Sequence, residues 1–278
     1  MRFHLCCHLT IFFCCLFLTA FIRIVSAAKV PALCGISHPS DARILWECKR
    51  IQKGETLESL FGDRWIDVAR FNRIDRRHVY PGVRIKVPNN IEDIKDFSPM
   101  PDYYEPAASE EKFILVDLSE QFLGAYEYGR LVFSTPAAVG EKGHETPTGE
   151  FRISAYHSTH KSTLYFIEGR RIPYPMHYGL RFHITKRWVS YWIHGRDLAG
   201  YPVSHGCIGL YDEEMQKKYY GYPKNPVLRD AKFLFDWVIS PFTDDGRFHI
   251  LKNGLRMLII GNAPETDLRP PARGVRKR

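Results

Sequence analysis

Two short glycine-containing segments hold residue types that together can do nucleophilic chemistry. The first ends in His194-Gly195, and the second runs Ser204-His205-Gly206-Cys207. A cysteine attacks as its thiolate, and a histidine can take the thiol proton at neutral pH. Gly206 lets the chain turn sharply, so the N–H groups of His205, Gly206 and Cys207 can converge on one substrate oxygen. The pattern indicates acyl transfer, with Cys207 as nucleophile and His194 as general base.

The element before the histidine must hold it in place. The apolar stretch Val189 to Ile193 is typical of a strand, and the carbonyl of Gly195 is positioned to hold the tautomer of His194. Taken singly, a histidine beside an aromatic strand is more often a packing residue, and a lone cysteine is more often inert. Only the combination favours catalysis.

The two segments, in this order, resemble the signature of the L,D-transpeptidase family, which is His-Gly, a gap, then Ser-His-Gly-Cys-Ile/Val-Arg. The resemblance runs from about Phe113 to Ile260 and includes the segments 140–151 and 175–178. It implies a mainly β fold, with an L,D-transpeptidase-type β-sandwich catalytic domain over residues 111–262. It also implies that Cys207 attacks the carbonyl of the third residue of a peptidoglycan stem peptide and expels the terminal D-alanine. An amine of a neighbouring stem, an envelope protein or water then takes the acyl group.

The resemblance also implies a pocket around the nucleophile. His205, Gly206 and Ser204 are expected to form the oxyanion site and its supporting turn, and Met176 and Tyr178 to approach the substrate.

One departure concerns substrate binding. Gly209 stands where the family usually has arginine. A guanidinium there would meet a substrate carboxylate. Arg196 and Arg181 are the candidates to replace it.

No metal or cofactor is predicted. His144, His157 and His160 invite comparison with a zinc site, but no cysteine or carboxylate lies at a convincing ligand spacing. The sequence has no glycine loop followed by Lys-Ser/Thr and no Gly-x-Ser-x-Gly elbow.

Residues 46–88 predict a small βααβ module. A strand at Trp46 to Ile51 precedes a helix that Thr56 can cap, a second helix carries Trp65 to Phe71, and Val83 to Val87 alternates as a strand. The segments Gly54-Glu55-Thr56-Leu57, Asn72 and Tyr80 to Pro88 resemble the LysM family. This implies binding of peptidoglycan glycan between the loops after the first strand and the second helix. The alternative is a spacer with the same fold.

The remaining segments are predicted from composition. Residues 89–110 hold Pro99, Pro101 and Pro106 and suit an extended linker, while 263–278 form a basic tail. Between them, short strands such as Phe113 to Asp117, Phe122 to Glu127, Leu131 to Gly140, Gly149 to Tyr156 and Arg256 to Ile260 dominate.

The first 28 residues have the layout of a signal peptide. Arg2 precedes an apolar run from Leu9 to Val25, and small residues follow. We expect export to the periplasm or cell envelope, with cleavage after Ala27 or Ala28. An uncleaved anchor is the alternative, which Arg23 makes marginal.

Charge and cysteine content agree with export. Loss of the leader removes two arginines and no acid, so the net charge falls from +8 to +6. A basic balance suits an anionic envelope or a nucleic acid, but the charges are scattered and only the tail Arg269 to Arg278 forms a cluster, so no nucleic acid partner is predicted. Of the cysteines outside the leader, Cys34 and Cys48 can pair in an oxidising compartment and leave Cys207 free. An unpaired buried cysteine is the alternative.

Other classes fit less well. Water as acceptor would make the protein an L,D-carboxypeptidase or hydrolase, and a decayed catalytic domain would leave a non-catalytic peptidoglycan-binding protein. A papain-like amidase places its cysteine before its histidine. A sortase needs an arginine on a later strand, for which Arg256 is the candidate.

Overall fold

The computed structural model describes residues 30–167, 169–266 and 268. The predicted signal peptide, residues 1–28, and most of the predicted basic tail lie outside these residues. Within the described ranges, every helix is too short or too polar to cross a bilayer.

Strands outnumber helices, which confirms the prediction of a mainly β fold. The strands are β1 Trp46–Arg50, β2 Arg84–Pro88, β3 Phe113–Asp117, β4 Phe122–Glu127, β5 Arg130–Pro136, β6 Gly149–Arg152, β7 Ala155–His157, β8 Lys161–Phe166, β9 Pro173–Pro175, β10 Gly179–Ile184, β11 Ser190–Arg196, β12 Ile208–Tyr211, β13 His249–Ile250 and β14 Arg256–Ile260. The α-helices are α1 Leu57–Phe61, α2 Trp65–Phe71, α3 Glu213–Tyr220 and α4 Asp230–Ile239.

Residues 30–88, here called the N-terminal unit, fold around one antiparallel strand pair. β1 pairs with β2, and α1 and α2 lie between them in the chain, in the predicted order. The hydroxyl of Thr56 accepts a hydrogen bond from the Ser59 N–H at 3.1 Å and so caps α1. A disulfide between Cys34 and Cys48 ties the preceding segment to β1.

Two five-stranded sheets form the main framework of the remaining residues, in the orders β5-β4-β3-β14-β6 and β12-β11-β10-β7-β13. In the first sheet β3 is antiparallel to β4 and parallel to β14. In the second, β11 is antiparallel to β10 and parallel to β12. A smaller pair, β8 with β9, lies outside both sheets.

One hydrophobic cluster joins the two sheets. It includes Ile114 and Val116 of β3, Ile193 of β11 and Ile208 of β12, with Phe235 of α4 packed among them. Because successive strand residues point to opposite faces, the other face of β3 carries Phe113 and Leu115. Those two side chains pack in a second cluster with residues of the N-terminal unit. The apolar run of β3 is therefore buried on both sides.

The predicted extended linker 89–110 is instead part of this second cluster. Ile94, Phe97, Met100 and Ala107 are buried together with Phe71 of the N-terminal unit and Phe122 of β4. Helix here is limited to the 3-10 turns Ile91–Ile94 and Glu105–Ala107, and the apolar side chains pack on both sides. The segment is therefore packed between the N-terminal unit and the first sheet and is not an extended linker.

Three strand predictions differ from the structure in their limits. The strand expected to end near Ile193 continues to Arg196 because β12 pairs with it through Tyr211. The strand expected from Leu131 to Gly140 ends at Pro136. The segment expected to form one strand from Gly149 to Tyr156 is divided because β6 pairs with β14 of one sheet and β7 with β10 of the other.

Candidate active site

Cys207 and His194 line the same cavity, whose volume is about 850 Å³. His194 lies within β11, where Trp192, His194 and Arg196 share the face that lines the cavity. Ile193 between them points into the core. Cys207 immediately precedes β12, beside β11, and is partly exposed. The parallel pairing of the two strands thus brings the predicted nucleophile and base together.

The turn before Cys207 requires the residues found there. The Ser204 hydroxyl donates to the Cys207 carbonyl at 2.5 Å and accepts from the Gly206 N–H at 3.1 Å. Gly206 has φ 103°, and a Cβ atom on it would lie 2.0 Å from the Tyr191 ring. Glycine at 206 is therefore demanded both by backbone conformation and by space.

One expectation about this turn is wrong. The Gly206 N–H was expected to point at the substrate oxygen, together with those of His205 and Cys207. In the structure it donates to Ser204 within the turn, because the tight bend brings the serine hydroxyl under it. An oxyanion site in this geometry has to use other donors.

His194 is held in one tautomer. Its Nδ1 lies 2.8 Å from the carbonyl oxygen of Gly195, which can only accept, so Nδ1 carries the proton and Nε2 is left as an acceptor. A Cβ atom on Gly195 would lie 2.3 Å from a carboxylate oxygen of Asp212, so a side chain has no room there. Burial lowers the pKa of His194 to about 3, with Arg196 acting in the same direction and the Gly195 carbonyl opposing it.

Cys207 is likewise held neutral. Burial raises the pKa of its thiol to about 11, while the backbone N–H of Trp192 and the charge of Arg196 oppose that shift. At neutral pH the site therefore holds a thiol and a neutral imidazole. This is the starting state for general-base activation, not a preformed ion pair.

Arg196 occupies the space beside Gly209. A Cβ atom on Gly209 would lie 2.5 Å from Cδ of Arg196, whose side chain crosses the glycine. Arg196 is 5% exposed, donates through Nη2 to the Val203 carbonyl at 3.1 Å, and has a buried Nε with no hydrogen-bond partner among the described residues. A side chain at 209 and Arg196 in this position exclude each other. Arg196, a candidate to replace an arginine at position 209, also lines the cavity.

The structure separates the two predicted substrate contacts. Of these two described residues, Met176 lines the cavity and Tyr178 does not. Tyr178 packs on Phe235 of α4, with ring centroids 5.8 Å apart. Its positive φ of 56° turns the side chain toward the core, which local sequence does not reveal.

Several lining residues were not predicted. Tyr165 stacks on His205 with ring centroids 4.4 Å apart, and His160 stacks on Trp192 at 4.1 Å. The density of aromatic residues between 156 and 192 was a usable signal for this wall. The N-terminal unit also contributes Ile74, Arg77, His78 and Tyr80. These gave no local signal because only tertiary packing brings them to the cavity.

The cavity is basic. Its lining in the described part of the chain includes Arg77, Arg181, Arg187 and Arg196, against one acid, Asp197. Such a lining favours ligands that carry carboxylates.

One group of side chains beside the cavity has the composition of a metal site. Three residues each offer one ligand atom, and these atoms all lie within 4.8 Å of one another: Glu141, His144 and His205. The Glu141 N–H donates to the Ser204 carbonyl at 2.9 Å, which holds this turn against the loop before Cys207. His144 is thus grouped with a carboxylate that the sequence spacing did not suggest, and not with His157 and His160.

Comparison with known proteins supports one assignment by sequence. Residues 111–241 match the model of the YkuD family, the L,D-transpeptidase catalytic domain. A comparison with curated protein sequences finds no match.

Solved structures similar to this chain include three bacterial proteins. An L,D-transpeptidase from Stackebrandtia nassauensis is 21% identical, with 74% of this chain and 70% of that chain aligned and a TM-score of 0.40. One from Xylanimonas cellulosilytica is 19% identical, with 76% and 98% aligned and a TM-score of 0.42. L,D-transpeptidase 1 of Mycobacterium tuberculosis is 18% identical, with 54% and 62% aligned and a TM-score of 0.35. This chain thus spans less than two thirds of the mycobacterial protein.

The sequence match covers both strands that carry the candidate nucleophile and base, β11 and β12. Residues 111–241 thus resemble the L,D-transpeptidase catalytic domain of the YkuD family in sequence.

Proposed function

We propose that the protein is a cysteine-dependent L,D-transpeptidase that acts on peptidoglycan stem peptides. The observation that carries this proposal is the shared cavity of a partly exposed Cys207 and a neutral His194 with a free acceptor nitrogen. Both residues lie in the segment that matches the catalytic domain. No cofactor is required for this chemistry.

The proposed reaction runs through a thioester. Nε2 of His194 takes the thiol proton as Cys207 Sγ attacks the carbonyl carbon of the third stem residue. The C–N bond to the terminal D-alanine breaks, and its nitrogen leaves with the proton from His194. An amine then attacks the thioester, His194 takes its proton, and the thiol is restored. Because both groups start neutral, charge develops only during attack, where fixed donors stabilise it most.

The basic cavity supports a stem-peptide substrate. Stem peptides carry carboxylates, and Arg196 offers a buried guanidinium with an unpartnered Nε on the same wall as His194. A planar guanidinium binds a carboxylate through paired hydrogen bonds. Arg196 thus supplies the function that an arginine at 209 would have.

The acceptor is the second part of the proposal. An amine of a neighbouring stem would give a cross-link, an envelope protein would become attached, and water would make the enzyme a carboxypeptidase or hydrolase. A sortase-like use of Arg256 is disfavoured because this side chain pairs with Glu110 at 2.5 Å, and the described cavity lining does not include it.

For the N-terminal unit we propose glycan binding of the LysM type, in an exported protein. The strand-helix-helix-strand order and the half-exposed Tyr80, 41% accessible, support it. The disulfide between Cys34 and Cys48 supports an oxidising location such as the periplasm or cell envelope. Cosedimentation of the protein with insoluble peptidoglycan tests the glycan contact.

The deciding experiment incubates the protein and a Cys207→Ala variant with disaccharide-tetrapeptide and follows the products by mass spectrometry. We expect Cys207-dependent loss of D-alanine, a transient acyl-enzyme and a cross-linked dimer. Tripeptide without dimer would assign hydrolysis. Absence of both turnover and adduct with substrate and an added amine acceptor would refute catalysis and leave a binding protein.

A further inference from the structure

The segment 73–78 of the N-terminal unit is a buried docking element. Arg73, whose side chain is fully buried, pairs with Glu120 at 2.9 Å, and Arg76 pairs with Glu213 of α3 at 2.5 Å. The carboxylate of Asp75 accepts the Leu198 N–H at 2.6 Å. These contacts hold the unit against the turn between β3 and β4, against α3 and against the loop that follows β11.

Within this element Arg77 reaches the edge of the cavity. Its Nη2 donates to Oδ2 of Asp197 at 2.5 Å, and its guanidinium lies 4.2 Å from the ring centroid of Tyr220. The other carboxylate oxygen of Asp197 accepts the Tyr174 hydroxyl at 2.7 Å. His78 Nε2 lies 3.5 Å from the same carboxylate. Both oxygens of Asp197 are thus occupied by partners other than Arg196.

Asp197 directly follows Arg196 in the chain, so the obvious partner for the arginine is the neighbouring acid. Burial disfavours the charged carboxylate, yet Arg77, His78, Arg196 and the Tyr174 hydroxyl together hold the pKa of Asp197 well below its usual range. The acid is therefore ionised and would attract any free guanidinium. In the described part of the chain it pairs with Arg77 and His78, and Arg196 keeps its unpartnered Nε.

We propose that Arg77 is a positioning residue of the active site. By occupying the Asp197 carboxylate, it keeps Arg196 free to bind a carboxylate of the ligand next to Cys207. The N-terminal unit would then determine ligand affinity even without touching the ligand. The identity of that ligand rests on the proposed function, but the availability of Arg196 does not.

Two thiol reagents of similar size test this without turnover. Iodoacetate carries a carboxylate and iodoacetamide does not, and both alkylate the Cys207 sulfur with loss of iodide. The ratio of their rates at Cys207, followed by mass spectrometry of the peptide that contains it, reports a nearby free cation. General changes in thiol reactivity cancel in this ratio. The protein is the full chain, at low salt and constant pH.

We expect Arg77→Gln to lower the iodoacetate-to-iodoacetamide ratio roughly fivefold, the scale of one close, partly screened charge interaction. Arg196→Gln should lower it to the same extent, and the double Arg77→Gln/Arg196→Gln variant no further. Arg77→Gln/Asp197→Asn should restore the ratio, because no acid remains to capture Arg196. Arg64→Gln is the matched control, since this arginine of the same unit pairs with Glu92 on the surface at 2.6 Å.

An unchanged ratio in Arg77→Gln, or no recovery in the double variant with Asp197→Asn, would overturn the proposal and leave Arg77 a docking residue only. If Arg77→Gln does not fold, Asp197→Asn alone decides. It keeps Arg196 free and removes an anion from the cavity lining, so its ratio should equal or exceed that of the wild type, and a fall of several fold would contradict the inference. Because alkylation needs no substrate, a failure of the proposed transpeptidase activity leaves this test intact.

Discussion

At Cys207 the surroundings favour the thiol over the thiolate. Burial raises its pKa to about 11, and burial also lowers the pKa of His194 to about 3. Moving the proton from sulfur to nitrogen is therefore unfavourable in the free protein. Cysteine enzymes with a thiolate–imidazolium pair have the opposite arrangement, in which the thiol pKa is lowered. Here activation has to wait for a substrate carbonyl that accepts the developing charge.

The raised thiol pKa determines how Cys207 should react with iodoacetamide in the free protein. Because the thiol pKa is raised, the thiolate fraction at pH 7 is small, and the alkylation rate should rise about tenfold per pH unit until the pH approaches 11. Rates at Cys207 between pH 6 and 10, measured by mass spectrometry, check this. The Cys207→Ala variant gives the background from other thiols. A rate that is already constant below pH 8 would show a preformed ion pair instead.

Much of this site could be predicted from sequence because its geometry is local. Ser204, Gly206 and Cys207 form one turn, and His194 lies on the adjacent strand. The role of the Gly206 N–H could not be predicted, because it depends on a hydrogen bond to the Ser204 hydroxyl. The direction of the Tyr178 side chain could not be predicted either, because it depends on a positive φ angle. Arg77 could not be found at all, because its place in the cavity depends on contacts between distant segments.

Among the secondary-structure elements, strands flanked by clear turns are predictable from sequence with their observed limits. β3, β4 and β14 are three such strands. The structure of the segment 89–110 is not predictable in this way. Its prolines suggest an open linker, whereas its buried apolar side chains depend on partners far along the chain. Phe97 shows this most clearly. Its ring lies 5.2 Å from Phe71 of α2 and 5.8 Å from Phe122 of β4, edge to face in both cases.

We therefore predict that Phe97→Ala destabilises the protein like a core substitution. Phe97 is 7% exposed, and removing its ring would leave a cavity between the N-terminal unit and the first sheet. The expected loss in the free energy of unfolding is about 3–5 kcal/mol. Urea denaturation followed by fluorescence measures it. Phe242→Ala, at a ring that is 68% exposed, should change the value by less than about 0.5 kcal/mol. Equal effects of the two substitutions would restore the linker interpretation.

Across the whole fold, the N-terminal unit and the rest of the chain share buried titratable groups as well as a hydrophobic cluster. The segment 30–45 contributes His38, whose Nε2 lies 3.3 Å from the Gln121 side chain in the turn between β3 and β4. Burial, reinforced by Arg73, lowers the pKa of His38 to about 4. In the cavity, burial likewise lowers the pKa of His160 to about 4. His38 and His194 are buried and His160 is half-buried, and all three are neutral at pH 7 in different parts of one fold.

Acid should therefore weaken the whole structure before the carboxylates titrate. An unfolded histidine binds a proton below pH 6.5, whereas folded His38 does so only near pH 4. Between these values the unfolded state binds more protons, so the free energy of unfolding falls with falling pH, by at most about 1.4 kcal/mol per pH unit for each such histidine. Asp41 and Asp197, whose pKa values are lowered, lose their contribution only at lower pH. Asp230, whose pKa is raised by burial, acts in the opposite sense.

The contribution of His38 can be isolated by comparison of variants. His38→Gln keeps a polar side chain toward Gln121 but cannot take up a proton, so its urea denaturation curves should shift less than those of the wild type between pH 6.5 and 4.5. His144→Gln removes a histidine whose side chain is 47% exposed and should follow the wild type. If all three proteins lose stability in parallel over this range, then the acid sensitivity does not arise from His38. The contacts that join the two halves would in that case tolerate its protonation.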